Sequence, residues 1–399
     1  MAFENKRKLA LVLSGGGIKA AAFHIGVCIA LKEKGFRFAG GTKDDVAQKY
    51  PGEDSKTFRL YVGSSAGAVM SSLLASGHEV EAIIDAFQMG AGLNVRWPDK
   101  RGPRLNPLTY RHIFSINGMN LMRVLPNFLR TRSLVTGGIE ALVKNGFKIN
   151  GLFTTRGIAR YLAKEALITD EFSNLGVELF IIATQLNHSR KVIFGNFSET
   201  TKNRHMKYAN YASISDAVGA SASLPPVFAP YGIRNVKGKE IFFFDGEIRD
   251  TLSTHVAADH GADLVISSYS IQPYHYTEEM GSLHNYGIPL ILNQALYQLI
   301  EQKIEKHIRH QSEISAIVKA INGYCRQINL AEEHREKLIQ IIAERVQYRA
   351  NTDYIYIHPS PRDYEMFFVD HFSLNPQILG RIVKIGFKSA MSILRKHNI

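Results

Sequence analysis

The chain reads as an α/β protein, a three-layer sandwich built on a mainly parallel central sheet. Three observations predict this. A continuous apolar run, residues 9–13, stops at three glycines and passes into an apolar helical stretch. The same order of strand, glycine turn and helix recurs from Phe58 to Gly77. The alternation then resumes between Val177 and Ser268. Repeated units of this kind are how a parallel sheet acquires helices on its faces.

Taken in order, Leu9 to Leu13 is a buried strand because it is apolar at every position and bounded by a turn. A helix follows from about Ile18 to Lys34, with Lys32 and Lys34 in its last turn and Gly35 at the position that ends it. Phe58 to Val62 is the second strand, and the helix after it ends at Gly77. Further on, Val177–Thr184, Ile241–Phe244 and Leu264–Ser268 read as strands and Ile214–Ala222 as a helix. From Ile288 to Ile321 there is no glycine and one proline, so a long helix is expected, paired with a second at about Ala331–Arg349. A last strand, Tyr354–His358, and a last helix, Pro376–Arg395, close the chain. The apolar positions at the start of the long helix (Leu290, Ile291, Leu296, Leu299, Ile300) are expected to pack into the core. A partner or homo-oligomer contact there is the open alternative.

With 399 residues, 45% of them hydrophobic, the chain has ample material for one large core. We read residues 1–399 as a single domain with two insertions, a basic lid-like segment at 94–165 and the helical hairpin at 288–350. Two cysteines, Cys28 and Cys325, offer neither a zinc spacing nor a disulfide framework. Lys6-Arg7-Lys8 precedes an apolar run too short for a secretory signal, and no stretch is long enough to span a bilayer. A cytoplasmic protein is therefore expected.

The net charge of +12 favours anionic partners. It is concentrated. Residues 94–165 hold thirteen Lys and Arg against three acidic residues, a net +10. The same segment interleaves Arg123, Arg130 and Arg132 with Trp97, Phe114, Leu121, Met122, Leu125 and Phe128. Such a mixture suits an anionic membrane surface; a nucleic-acid groove and a solvated basic face are the alternatives.

Three local patterns carry chemistry. Gly63-Ser64-Ser65-Ala66-Gly67 fits G-x-S-x-G between a strand and a helix, where small neighbours let backbone and substrate approach a nucleophile at Ser65. The following helix favours negative charge at the same spot. Gly15-Gly16-Gly17-Ile18-Lys19 exposes consecutive N–H groups at another strand-to-helix turn, fit for an anion or an oxyanion, and completes neither a phosphate loop nor a dinucleotide fingerprint. Asp245-Gly246-Glu247 places a carboxylate just past an apolar strand, where it could act as general base. Each pattern alone also has a plain reading as a packing turn.

Together, and in this order, the three resemble the patatin-like phospholipases, as does Ala220-Ser-Ala-Ser-Leu-Pro225 ahead of the Asp. The resemblance covers the α/β parts of residues 8–270, extends to 354–395, and leaves out the basic segment and the hairpin. It implies a Ser–Asp dyad: Ser65 as nucleophile, Asp245 as base, and the N–H groups of Gly15, Gly16 and Gly17 as the oxyanion hole. Lys19, Gly63, Gly67 and Gly246 would support the motifs. It further implies calcium-independent hydrolysis of acyl esters of membrane lipids, of the phospholipase A or lysophospholipase type, with no cofactor and no metal. The expected partners are a phospholipid or lysophospholipid substrate and an anionic membrane, with no nucleic acid. Two positions depart from the family pattern: Ala20 replaces a glycine after the basic residue, and Glu247 replaces a second glycine after the Asp. A Ser–His–Asp triad drawing on His255, His260, His275 or His284 is the rival enzyme reading. An inactive lipid-binding relative and a basic nucleic-acid binder are the non-catalytic ones.

Overall fold

The computed structural model describes residues 5–87, 105–116 and 151–399, apart from 53, 152, 189, 203–204, 250, 347–348 and 350–351. Counting strands of four or more residues, the main sheet contains β1 (Leu9–Leu13), β2 (Thr57–Ser64), β3 (Glu178–Gln185), β4 (Arg190–Phe194), β5 (Met206–Ala209), β6 (Tyr231–Arg234), β7 (Glu240–Asp245), β8 (Leu264–Ser268) and β9 (Asp353–Ile357). Its order is β9-β8-β1-β2-β3-β4-β5, parallel from β9 through β3. β3 and β4 form an antiparallel hairpin, and β6–β7 is another that joins β3 from outside the parallel set. The expected sandwich with a mainly parallel sheet is therefore present.

The continuous apolar runs are explained by burial on both sides. Leu9, Leu11 and Leu13 face one core cluster, while Ala10 and Val12 face the other. Among the described residues, the helices of eight or more residues are α1 (Gly17–Glu33), α2 (Ala66–Ala75), α3 (Ile214–Ser221), α4 (Ile288–Gln327), α5 (Glu332–Arg345) and α6 (Pro376–Lys396). The first cluster lies under α1, α2, α3 and α6; the second lies under the short helix Thr254–Asp259.

α1 is apolar nearly all round because it is enclosed, with 13 of its 17 residues buried. α6 crosses it at two glycines. A Cβ on Gly26 would sit 2.1 Å from the Val383 carbonyl oxygen, and one on Gly386 2.2 Å from that of Phe23. α6 itself is amphipathic, burying Leu379, Ile382, Val383, Gly386, Ala390 and Leu394, and Asn375 caps its start by accepting from the N–H groups of Gln377 and Ile378.

The hairpin differs from expectation at its first turns. Leu290 and Ile300 pack beside Tyr297, Ile271 and Phe367, but Ile291, Leu296 and Leu299 are about half exposed, and Ile288 and Leu292 are more exposed still. The inward positions are occupied by Tyr297 and Ile304, which leaves the other side of the helix uncovered. Of the basic segment, Arg123, Arg130 and Arg132 fall outside the described residues. Its two described ends join the core: Leu105, Leu108, Ile113, Ala159, Tyr161 and Leu162 all belong to the large cluster. Both cysteines are free and buried.

Candidate active site

The site forms where two strands meet end to end along one edge of β3. β2 runs up that edge as far as Ser64, opposite Ile182. β7 comes down it antiparallel and stops at Asp245, opposite Ala183, the very next residue. The chain after β2 is Ser65, so this register places Ser65 and Asp245 side by side although 180 positions separate them in sequence. Gly246 is required at the join: a Cβ there would meet the Ile182 carbonyl at 2.4 Å and the Ser64 hydroxyl at 2.6 Å.

Ser65 sits at the N-terminus of α2 with φ 52° and ψ −120°, a strained backbone for a residue with a Cβ. Gly63 and Gly67 make the turn feasible. A side chain on Gly67 would run into the Leu13 carbonyl at 2.1 Å, and one on Gly63 into the Gly67 carbonyl at 2.5 Å. The Ser65 N–H donates to Ser221 Oγ (2.8 Å), and Ser221 in turn donates to the Ile182 carbonyl (2.5 Å). The Asp245 N–H donates to the Ser223 carbonyl (3.1 Å). The small-residue stretch at 220–225 thus braces both strand ends, a role its composition alone did not show.

The Asp245 carboxylate accepts from the Glu247 N–H at 2.9 Å, and the Ser65 hydroxyl beside it also favours its charged form. Asp245 is 1% exposed. Burial pushes its pKa up to about 6, against the opposing pull of the Ser65 hydroxyl and the Glu247 N–H. Of the four histidines set against it, His260 is tied to the Val256 carbonyl, His284 to Ser282, His275 to Gln272, and His255 engages Lys191.

The glycine loop faces the same spot. Gly16 and Gly17 have φ of 131° and 73°, and Gly15 lies against Ser65 so closely that a Cβ would approach the serine Cβ to 2.7 Å. The Gly15 N–H, however, donates to Glu247 Oε1 at 2.7 Å. Of the three glycines, only Gly16 and Gly17 have N–H groups without an acceptor among the described residues. Glu247, which departs from the family pattern, therefore ties the base turn to the glycine loop. Beneath the loop, fully buried His24 lies within 2.9 Å of the Ser14 carbonyl (Nε2) and 2.8 Å of the Ser268 hydroxyl (Nδ1). Burial lowers its pKa to about 4, so it is neutral, donating from Nε2 and accepting at Nδ1.

Lys19 is 1% exposed and its ammonium donates to the Tyr297 hydroxyl (2.9 Å) and to the Met366 carbonyl. Burial brings its pKa down to about 7, partly offset by Asp370. It anchors the loop from behind and is closed to a head group.

An apolar cavity of about 60 Å³ opens at Ser65, walled by Val69, Phe87, Leu108, Ile113, Phe228 and Phe372, with Gly17 at its rim. Leu108 and Ile113 come from the ends of the basic segment, which therefore shape the cavity directly. A larger cavity of about 840 Å³ lies elsewhere, between the α4–α5 hairpin and residues 258–263. It is lined by charges of both signs, among them Arg326, Arg335, Asp263 and Glu336.

A mainly parallel α/β sandwich thus carries a strained serine at a strand-to-helix elbow, beside a glycine loop whose Gly16 and Gly17 N–H groups have no acceptor among the described residues. The patatin-like phospholipase model matches residues 11–258, and the chain belongs to that family, whose general activity is lipid acyl hydrolysis. Two solved structures are similar to it. VipD from Legionella pneumophila is 16% identical with a TM-score of 0.36, the match covering 98% of this chain and 67% of that one. ExoU from Pseudomonas aeruginosa, in complex with SpcU of the type III secretion system, is 14% identical with a TM-score of 0.24, covering 99% and 78%. No curated protein matches the chain.

Proposed function

We propose that this lipid acyl hydrolase works through a Ser65–Asp245 dyad on fatty acyl esters of membrane lipids, as a calcium-independent enzyme of the phospholipase A or lysophospholipase type. One observation carries the reading: the strand register sets Ser65, which lines an apolar cavity, beside the buried Asp245 carboxylate. Asp245 takes the Ser65 proton as Oγ attacks the ester carbonyl, and the negative oxygen is held by the Gly16 and Gly17 N–H groups. Protonated Asp245 returns the proton to the departing alcohol. It then accepts a proton from the water that attacks the acyl-serine and passes it to Ser65 Oγ as the fatty acid leaves, which restores both the hydroxyl and the carboxylate. The narrow apolar wall fits an acyl chain, and the free N–H pair supplies the charge stabilisation that usually dominates such steps.

Among the described residues no helix is long and apolar enough to cross a membrane. We assign substrate access to peripheral contact with an anionic lipid surface, through the basic segment. The test is lipid mass spectrometry after incubation with a mixed lipid extract and a calcium chelator. Wild type should release fatty acids, while Ser65→Ala and Asp245→Ala should release none with the fold intact. Near-normal rates in Asp245→Ala, with loss of activity in a histidine variant, would establish a triad instead.

A further inference from the structure

Three side chains from distant parts of the chain form a line behind the glycine loop. Lys19 Nζ lies 2.9 Å from the Tyr297 hydroxyl. That hydroxyl lies 3.1 Å from His371 Nε2, and His371 Nδ1 lies 3.3 Å from the Gly16 carbonyl oxygen. The last acceptor fixes the direction of the whole line. A carbonyl only accepts, so His371 donates from Nδ1; burial and the nearby Lys19 lower its pKa to about 4, so the ring is neutral and Nε2 accepts. The Tyr297 hydroxyl therefore donates to His371 and accepts from Lys19.

The Gly16 carbonyl belongs to the same peptide unit as the Gly17 N–H. In a trans peptide the two point in opposite directions. A donor holding the carbonyl on one side thus aims the N–H to the other, and Gly17 and Ser65 line the same cavity; a hydrogen bond to the oxygen also strengthens the N–H as a donor. The loop is clamped further where the Lys19 N–H donates to the His371 carbonyl (3.3 Å) and Gly17 packs flush on it, a Cβ there falling 2.5 Å from that oxygen. Tyr297 is 2% exposed, seated against Phe367 and His371.

We infer that Tyr297 and His371 are positioning residues of the oxyanion hole, holding the Gly16–Gly17 peptide so that its N–H faces the reacting ester. The inference rests on the Ser65–Asp245 reading. It gives the C-terminal region, beyond the family-matched residues 11–258, a part in the chemistry. Neither residue touches the substrate; both act through the peptide.

The experiment is steady-state hydrolysis of a soluble aryl acyl ester by the full chain, with Ser65→Ala alongside. Tyr297→Phe keeps the ring in place and removes only the hydroxyl. It should lower kcat about tenfold with KM within about twofold, the signature of an interaction made in the transition state. His371→Ala should lose at least as much, and His371→Asn, whose amide N–H replaces Nδ1–H, should recover most of it. Unchanged kcat in both Tyr297→Phe and His371→Ala, with Ser65→Ala inactive, would overturn the inference and leave the dyad standing. So would a loss confined to KM, or a loss that tracks a fall in melting temperature without rescue by Asn. Full activity in Ser65→Ala would overturn the dyad reading itself, and this inference with it.

Discussion

At Asp245 the proposed role as general base and the requirements of stability oppose each other. The carboxylate is ionised inside the protein, where burial favours the neutral acid and lifts its pKa to about 6 from 3.8. As the proposed base it must be ionised, so hydrolysis should rise with pH through about 6, read from a pH–rate profile of kcat/KM. Stability runs the other way. A raised folded-state pKa gives stabilisation that is full below 3.8 and lost as pH rises through about 6. Asp245→Asn should therefore abolish hydrolysis and, at pH 8, raise the melting temperature, from a relief of about 3 kcal/mol on the pKa difference. A lower melting temperature for that variant at pH 8 and pH 4 alike would contradict this account. Glu247 is the complementary case. Glu247→Ala leaves the buried Gly15 N–H without its acceptor, which costs about 1–3 kcal/mol and loosens the loop; a thermal melt beside a kcat measurement checks both effects.

Among the elements, the helices that carry the site are held by close approaches that only glycine permits. α1 bears the glycine loop at its start and meets α6 at Gly26 and Gly386, where each backbone touches the other. Gly26→Ala forces the helices apart and should destabilise the protein by about 3 kcal/mol, visible as a lowered denaturation midpoint. The elements were legible in sequence where one local rule decides them. The apolar run at 9–13, the glycine ending at Gly35 (φ 82°) and Pro376 at the start of α6 all mark real boundaries. The β4 and β6 strands were not legible, because Arg190–Phe194 and Tyr231–Arg234 are short and mixed in polarity. They become strands by pairing with β3 and β7. The start of α4 is the reverse case: its apolar residues resemble a core stripe, yet Ile288, Leu292 and Leu296 stay exposed because Tyr297 takes the inward side.

For the molecule as a whole, the uneven charge is the feature that reaches beyond the site. Ten of the twelve net positive charges lie between residues 94 and 165, and the described ends of that segment wall the cavity above Ser65. A basic segment whose described ends reach the cavity suits attraction to anionic head groups, an effect that salt screens. Neutralising Arg123, Arg130 and Arg132 together should weaken binding to phosphatidylserine-containing vesicles, with the difference shrinking as salt rises. Equal binding of wild type to neutral vesicles, or tighter binding to DNA, would refute the membrane assignment. The same paired wild-type and variant titrations give the salt slope directly.

The sequence by itself determined the sheet's parallel half, the elbow around Ser65, the glycine loop and the position of Asp245 at a strand end. Each depends on neighbours within a few residues: a turn that needs glycine, an apolar run that needs burial, a helix that needs an end. The tertiary structure alone decided which groups meet. The pairing of Ser65 with Asp245 follows from two strands ending at adjacent residues of β3. The donation of the Gly15 N–H to Glu247 spans 232 positions, and the contact of His371 with Gly16 spans 355. Residue type shows that a histidine or glutamate can hydrogen-bond; its partner is set by the packing of the completed fold, which no short stretch of chain contains.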